Sequence, residues 1–408
     1  MKTILIRLAC FTLSICLFTV ALLQAQDTSE NDFSDAMKLM EEGKLLRVIT
    51  LLESLSEKHE VARQLLGQLY PIVGEYKNAK QFRQTAAAKY STELAKGYVL
   101  SDAVEAIASE AKAKRLIVIN EAHDSPEHRA FISQLIARLH QIGYTHYAFE
   151  SLAEDSKTLC ERGYPVDSTG FYTSEPQFGE LIRNAIRIGY IPIKYEMDES
   201  LEPLQDPIKE INRREQLQCS NLVRVFFSKN ADAKLLVHVG HDHVMEEPRK
   251  SGDQVILWLA ARLKKETGID PMTIDQTTSL SNGLMDIRTP VVARDDQKQF
   301  LVGGPFSGFV DVQVYHPAAT MTKGRPDWLA NDGKRRAIEI PSKIIADTER
   351  LLVQVRFANE SDKAVPADQV LLVPGSARPM LSLRPGSYRL NTQDELGNTS
   401  TVMELDVK

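Results

Sequence analysis

Short apolar runs that end on an acidic residue or a histidine recur along the middle of the chain. Residues 116–120 form such a run, and Glu121 and His123 follow it at once. Because alternate residues of an extended segment point to the same side, these two side chains are predicted to face one way. Ser125-Pro126 then begins a segment with the apolar spacing of a helix. This order is typical of a site at the carboxyl edge of an open α/β sheet.

Three later runs end in the same way. They are 145–150, ending on Glu150, 190–196, ending on Glu196, and 234–243, ending on His241 and His243. If all four strands are parallel, their carboxyl ends meet at one edge of the sheet. Residues 98–340 are therefore predicted to be an α/β domain, with a mostly parallel central sheet flanked by helices.

Different patterns flank this domain. Residues 33–96 have helical spacing, and residues 341–408 alternate between apolar and polar positions separated by turn residues. The first segment resembles a tetratricopeptide repeat, at Leu66, Gly67, Tyr70, Gly74, Tyr76, Ala79 and Ala86. Either a partner-binding module or a helical hairpin packed on the main domain is compatible with that pattern. The second segment is predicted to be a β-rich, sandwich-like module.

The first 25 residues have the pattern of a secretory signal peptide. Lys2 and Arg7 precede an apolar run, residues 8–23. A cleavage site is expected near Ala25. The protein is thus predicted to be exported, to the periplasm or the medium, with a lipid anchor at Cys16 as the less favoured alternative. No other run is long enough to span a bilayer.

Composition narrows the range of partners. The net charge of -6 and the lack of a basic patch argue against nucleic acid as a partner. A chain of 408 residues is expected to form two or three domains. Cys160 and Cys219 remain after the signal peptide, and we favour separate thiols over a disulfide, which an exported protein would also permit.

The ordered motifs resemble the superfamily of erythromycin esterase, ChaN and Tiki proteins. That family has a strand followed by Gly-Glu-x-His, a second strand ending in Glu, and a late Gly-x-x-His. The matching segments are Asn120-Glu121-Ala-His123, Phe149-Glu150, Gly240-His-Asp-His243, and 214–221, which begins with Arg214 and ends on Asn221. The resemblance covers about residues 114–278. It departs at Asn120, where the family usually has glycine and where a side chain is expected to narrow the space beside His123.

The resemblance implies three different activities, because the branches of the superfamily differ. The esterase branch hydrolyses macrolactones with water activated by His and Glu, the Tiki branch resembles metal-dependent proteases, and the ChaN branch binds haem. A fold alone does not choose between them. An exported hydrolase that cleaves an ester or amide bond of a small molecule or peptide is the favoured interpretation.

The hydrolase interpretation assigns a role to each candidate residue. His123 beside Glu121 or Glu150 is expected to act as general base on water, because a carboxylate orients the imidazole and stabilises its charged form. His243 is expected to be a second acid/base group or an oxyanion donor, and Arg214 to stabilise negative charge. No Gly-x-Ser-x-Gly motif is present, so a serine nucleophile is not indicated.

A metal site is the principal alternative chemistry. The candidate ligands for Zn²⁺ or Mn²⁺ are Glu121, His123, Glu150, Glu196, His241 and His243. Haem is the less favoured cofactor, since it needs an open apolar pocket with an axial Tyr or His. A haem- or metal-binding protein without catalysis, and a non-catalytic scaffold, also remain open. His238, inside an apolar strand, is interpreted as a satisfied buried polar group.

Overall fold

The computed structural model describes residues 29–79, 81, 91–94, 97–197, 201–280, 287–330 and 333–408. The predicted signal peptide lies outside these residues. The described α-helices are α1 (Ser29–Glu41), α2 (Leu45–Leu55), α3 (Glu60–Ile72), α4 (Ala103–Ala111), α5 (Pro126–His140), α6 (Ser156–Arg162), α7 (Pro176–Ile188), α8 (Pro207–Leu222) and α9 (Leu259–Thr267). Of these helices, none combines the length and the apolar character that a membrane crossing requires.

The described strands are mostly short, and the longest lie in two sheets. They are β1 (Ser91–Thr92), β2 (Val99–Asp102), β3 (Leu116–Glu121), β4 (Tyr144–Phe149), β5 (Ile191–Ile193), β6 (Lys234–Gly240), β7 (Arg249–Ser251), β8 (Gln254–Ile256), β9 (Met272–Asp275), β10 (Ser279–Leu280), β11 (Val291–Arg294), β12 (Val312–Gln313), β13 (Met321–Thr322), β14 (Arg325–Pro326), β15 (Arg336–Glu339), β16 (Leu351–Phe357), β17 (Asp368–Leu372), β18 (Met380–Leu383), β19 (Gly386–Gln393) and β20 (Thr399–Val407).

Internal contacts divide the chain into two compact units. The first unit holds the described residues of Met1–Gln84, Tyr164–Glu180 and Ala319–Lys408, and the second holds those of Thr85–Gly163 and Leu181–Ala318. The helical segment and the C-terminal β-rich segment, which the sequence predicts as separate domains, are thus grouped in one unit. The predicted boundary at residue 340 falls inside that unit.

The second unit is built on a six-stranded parallel sheet flanked by helices. Its strand order is β12-β9-β3-β6-β4-β5, and every pairing in it is parallel. The predicted α/β class with a parallel sheet is therefore confirmed. In the pairing of β3 with β6, Glu121 lies beside Gly240, and in that of β4 with β6, Phe149 lies beside His238. The carboxyl ends of these three strands consequently meet at the same level.

Apolar packing explains why the central strands have few polar residues before their ends. All six residues of β3 are buried, as expected for a parallel strand covered on both faces. On one face Val118 and Val237 belong to the same core as Leu222 of α8 and Leu263 of α9. In β3 the polar side chains, Asn120 and Glu121, therefore lie at its carboxyl end, where the sheet edge provides partners.

The helix after His243 begins later than the sequence predicts. Apolar spacing predicts a helix from Val255 to Leu263, but Gln254–Ile256 is a strand that pairs antiparallel with β7. Trp258 is still extended, with φ -77° and ψ 169°, so α9 starts at Leu259. Local hairpin pairing takes precedence over helical spacing here. The predicted stop at Gly268 is confirmed, because this residue has φ 69° and its N–H donates to the carbonyl of Lys264.

The first unit combines the helical segment with an antiparallel sheet. The sheet has the order β17-β16-β19-β20, so the β-rich character predicted for the C-terminal segment is confirmed. Ile49 and Leu66 from the helices share one apolar core with Leu352 and Leu371 from the sheet. The likeness of the helices to a tetratricopeptide repeat stays a prediction.

Candidate active site

Glu121 is bonded by several neighbouring side chains at the carboxyl edge of the sheet. It is 1% exposed, and Arg129 from the first turns of α5 donates to both of its oxygens, at 2.8 Å from Nε and 2.5 Å from Nη2. Nε2 of His238 lies 2.9 Å from the second oxygen. Burial raises the pKa of Glu121, but Arg129 and His238 outweigh it and hold this pKa well below its usual range. Glu121 is therefore a fixed anion.

His123 is oriented by this anion. Its Nδ1 lies 2.8 Å from Oε1 of Glu121, and because an ionised carboxylate only accepts, Nδ1 carries the hydrogen. In the neutral ring, Nε2 then holds the lone pair that a general base needs. Nε2 faces Oε2 of Glu150 at 3.7 Å, and the His123 side chain keeps 11% exposure. The prediction that Glu121 and His123 face the same side is confirmed.

Glu150 is held from two directions immediately after β4. Nη2 of Arg214 donates to its Oε1 at 2.6 Å, and the backbone N–H of Gly240 donates to its Oε2 at 2.6 Å. Burial raises the pKa of Glu150, but the charges of Arg214 and of the nearby histidines outweigh it and lower this pKa to about 2. Glu150 is thus ionised near neutral pH and is not a proton donor there.

His243 forms a second glutamate–histidine pair. It follows β6 in a turn of 3₁₀-helix, His241–Val244, and its Nδ1 lies 2.8 Å from Oε1 of Glu215 on α8. Nε2 lies 3.4 Å from Nη1 of Arg214, and the ring packs edge-on against Trp258. Burial lowers the pKa of His243, but the buried anion of Glu215 outweighs it, so the net shift is upward.

Gly240 allows the two groups of side chains to approach each other. A Cβ atom at this position would lie 2.6 Å from Nε2 of His123 and 3.0 Å from Oε2 of Glu150, closer than real Cβ contacts. The backbone of Gly240 also supplies the N–H that binds Glu150. Glycine is therefore required here for close approach and not for its backbone conformation.

The predicted candidates Glu196 and His241 lie at this edge but contact other groups. Glu196 accepts hydrogen bonds from the Ser151 N–H and from Gln218, and its Oε2 is 3.9 Å from Nη2 of Arg214. The ring of His241 lies edge-on to that of His123, with centroids 6.5 Å apart. Burial, and next the charge of His123, lower the pKa of His241. The neutral form of His241 is therefore favoured.

Asn120 stands where the resembled family has glycine. Its side chain points away from Glu121 and His123. Its Nδ2 donates to the carbonyl of His241 and to Oδ1 of Asp275, and its Oδ1 accepts the N–H of Gln276. Asn120 is wholly buried. The amide therefore ties β3 to the turn after β6 and to the end of β9, so the side chain supports the turn that carries His241 and His243.

Two of the residues predicted as metal ligands, Glu121 and Glu150, are already bonded to guanidinium or backbone N–H groups. Arg129 donates to both oxygens of Glu121, and Glu150 accepts from Arg214 and Gly240. Within the described part of the chain, no three His, Cys, Asp or Glu side chains are grouped so as to hold a metal ion. Two buried guanidinium groups also oppose a further cation. The donor set therefore does not fit Zn²⁺ or Mn²⁺.

Two residues of the site, Arg129 and Glu215, and the contact between His238 and Glu121 were not predicted from the sequence. Arg129 falls three residues before Ile132 and seven before Ile136, so it interrupts an apolar stripe of α5. Glu215 belongs to a run of buried polar residues on α8. For both residues, a charge at an otherwise buried helical position could have indicated a role in the site. His238 is a satisfied polar group, as interpreted, with Tyr147 at 2.8 Å. Cys160 and Cys219 are both free.

Comparisons with known proteins give a likeness only to solved structures. No model of a known family matches the chain, and no curated protein matches it. The chain is similar to the RRSP effector domain of a MARTX toxin from Vibrio vulnificus CMCP6, at 16% identity over 51% of this chain and 39% of that one, with a TM-score of 0.33. It is also similar to the type III effector HopBA1, at 14% identity over 52% of this chain and 93% of that one, with a TM-score of 0.32.

A third similar structure is the C-terminal region of Pasteurella multocida toxin, described as containing a thiol-protease-like catalytic triad. The identity is 11% over 88% of this chain and 51% of that one, with a TM-score of 0.34. The chain thus spans 39% of the RRSP structure and 51% of the Pasteurella one. Every TM-score is below 0.5, so none of these likenesses carries an argument about function. The resemblance to erythromycin esterase, ChaN and Tiki proteins stays a prediction.

Proposed function

We propose that this protein is an exported hydrolase, of the erythromycin esterase, ChaN and Tiki type, that cleaves an ester or amide bond by direct attack of water. One observation carries the proposal: two imidazoles each place Nδ1 2.8 Å from a buried carboxylate, Glu121 or Glu215. Their Nε2 atoms both lie against the ion pair of Glu150 and Arg214. Two oriented imidazoles beside one fixed ion pair supply a general base and a general acid at the same edge of the sheet.

His123 is assigned as the base that activates water. Its Nδ1–H is held by Glu121, so Nε2 is available to take a proton from water as the oxygen attacks the carbonyl carbon. Glu150 faces Nε2 at 3.7 Å and stabilises the imidazolium that forms. Glu121 forms an ion pair with Arg129, so this carboxylate remains ionised while it orients the ring.

His243 is assigned as the acid that protonates the leaving group. Its raised pKa favours the protonated ring, whose Nε2–H donates to the leaving atom in place of the 3.4 Å contact that neutral Nε2 makes with Nη1 of Arg214. When the tetrahedral intermediate collapses, the C–O or C–N bond breaks and the leaving atom takes this proton. The products are a carboxylic acid and an alcohol or amine, and solvent restores both histidines. Arg214, beside Nε2 of His243, provides positive charge near the developing oxyanion.

Direct water attack is testable through the path of oxygen. The purified chain is incubated in H₂¹⁸O and chelator with a panel of activated esters and aryl amides. The proposal predicts hydrolysis that resists chelator, one ¹⁸O atom in the acid product, and no burst of leaving group, because no acyl-enzyme forms. His123→Ala is expected to abolish the activity. His140→Gln is the matched control, since it lies at the far end of α5, about 20 Å along the helix from its first residue.

Other results would contradict the proposal. Absence of hydrolysis across the panel, or equal activity in wild type and His123→Ala, would remove the catalytic assignment. Activity lost in chelator and restored by Zn²⁺ or Mn²⁺ would favour the metal-dependent alternative. A Soret band on titration with hemin, without hydrolysis, would favour the haem-binding alternative.

A further inference from the structure

The backbone turns sharply immediately after Glu150. Ser151 has φ 68° and is one of three non-glycine residues with positive φ in the described part of the chain. This left-handed conformation brings Cβ too close to the following carbonyl oxygen, so a serine adopts it only when its surroundings enforce it. Ser151 directly follows Glu150, a carboxylate of the proposed acid/base site. The groups that enforce it therefore control where Glu150 points.

Glu196 provides the enforcing contact. Its Oε1 accepts the N–H of Ser151 at 2.7 Å, and its Oε2 accepts Nε2 of Gln218 at 2.8 Å. Asn221, one turn further along α8, donates to the carbonyls of Tyr195 at 3.1 Å and of Glu196 at 2.8 Å. Glu196 is thus fixed to α8 through both its side chain and its backbone, and it links the ends of β4 and β5 to that helix.

The peptide on the other side of Glu150 is pinned as well. The N–H of Glu150 donates to the carbonyl of His238 at 3.0 Å, and the N–H of Ser151 donates to Glu196. Two successive amides are therefore bound to two different partners. With the backbone held on both sides, the Glu150 side chain lies toward Gly240 and Arg214, whose N–H groups donate to it.

We infer that Glu196 is a positioning residue for the hydrolase: by holding Ser151 in the left-handed conformation, it aims Glu150 at His123 and Arg214. The inference rests on the proposed function and deepens it, because it assigns Glu196 neither to a metal nor to proton transfer. What Glu196 supplies is an acceptor at a fixed place. These two bonds do not require its negative charge, since the partners at 2.7 and 2.8 Å are a neutral amide N–H and a neutral side-chain amide. The nearest cation, Nη2 of Arg214, is farther away, at 3.9 Å from Oε2.

Two variants of Glu196 separate geometry from charge. Glu196→Gln keeps an acceptor for the Ser151 N–H and removes the charge, while Gln218 can rotate its amide to match. Glu196→Ala removes the acceptor. We expect Glu196→Ala to lower kcat by about a hundredfold at nearly constant KM, since a displaced catalytic group costs about that much. Glu196→Gln is expected to retain most of the activity that Glu196→Ala loses.

Glycine at position 151 provides the rescue. Glycine adopts positive φ readily, so the left-handed turn no longer depends on Glu196. In the Glu196→Ala background, Ser151→Gly is expected to raise kcat about tenfold, whereas alone it is expected to change kcat less than threefold. A purely structural role for Glu196 would show no such conditional gain. If Glu196→Gln is as inactive as Glu196→Ala, or if Ser151→Gly does not rescue, the inference is overturned.

Amide hydrogen exchange separates failure of this inference from failure of the proposed function. The peptide containing Ser151 is followed in wild type and in both Glu196 variants. The Ser151 amide is expected to exchange at least about tenfold faster in Glu196→Ala and at the wild-type rate in Glu196→Gln. Wild-type protein that hydrolyses no ester or amide contradicts the proposed function. Active wild type, combined with unchanged exchange in Glu196→Ala, contradicts only the positioning role.

Discussion

The two glutamate–histidine pairs share one geometry but differ in what surrounds the carboxylate. Glu121 accepts two hydrogen bonds from Arg129 and also contacts His238, so its charge is compensated before His123 is considered. Glu215 is fully buried, and His243 is the ion-pair partner it contacts, at 2.8 Å. A compensated anion orients an imidazole, whereas a buried anion whose ion-pair partner is an imidazole stabilises the protonated form of that imidazole. This difference is the reason for proposing His123 as the base and His243 as the acid.

The largest effect is expected when either imidazole is removed. His123→Ala and His243→Ala are each expected to lower kcat/KM by about two to four decades, the usual range for a lost acid or base. His123→Ala leaves Glu121 paired with Arg129, so the free energy of unfolding is expected to change by about 1 kcal/mol or less. His243→Ala is expected to cost more, because it leaves Glu215 buried without its ion-pair partner. The double variant is expected to be no worse than the worse single one, because the residues act as a unit. A large fall in Tm with unchanged activity would mean that the pairs are structural.

A large effect on stability, and not only on activity, should distinguish the two carboxylates. Arg129→Met leaves Glu121 buried without its main cation, and we expect about 3 kcal/mol of lost unfolding free energy. Adding Glu121→Gln in the same chain is expected to recover much of this loss, because the uncompensated charge is removed. Glu215→Gln, which removes a buried charge without stranding one, is expected to be far milder. Denaturant unfolding measures all three, and equal losses for Arg129→Met and Glu215→Gln would erase the contrast.

A smaller effect is expected from crowding the place where the pairs meet. Gly240→Ala puts Cβ where Nε2 of His123 and Oε2 of Glu150 now lie, at 2.6 and 3.0 Å. We expect kcat to fall about ten- to a hundredfold as the imidazole is displaced. Gly268→Ala is the control: its Cβ meets nothing within 4 Å but its φ is 69°, so it should lower Tm and leave kcat unchanged. An unaffected kcat in Gly240→Ala would show that His123 does not need its present position.

The local sequence pattern predicted the candidate residues at the carboxyl edge of the sheet. It did not predict the helix residues that contact them. The strands that end at or shortly before Glu121, Glu150 and His243 were predictable, because alternation and apolar runs depend only on neighbouring residues. Arg129 and Glu215 were not, since both lie on helices and reach the sheet edge through tertiary packing. For the same reason the direction of Asn120 toward Asp275 was not predictable. The late start of α9 depends on a hairpin pairing that helical spacing does not encode.

The pH dependence of kcat/KM in wild type and Glu215→Gln tests the central claim most directly. Glu215 raises the pKa of His243, and an acid catalyst loses activity as pH rises through its pKa. Without Glu215 that pKa falls, so the alkaline limb of the profile is expected to move to lower pH. The acidic limb, which reports His123, is expected to stay in place because Glu121 is unchanged. An alkaline limb that does not move, or an acidic limb that moves instead, would contradict the assignment of His243 as the acid and His123 as the base.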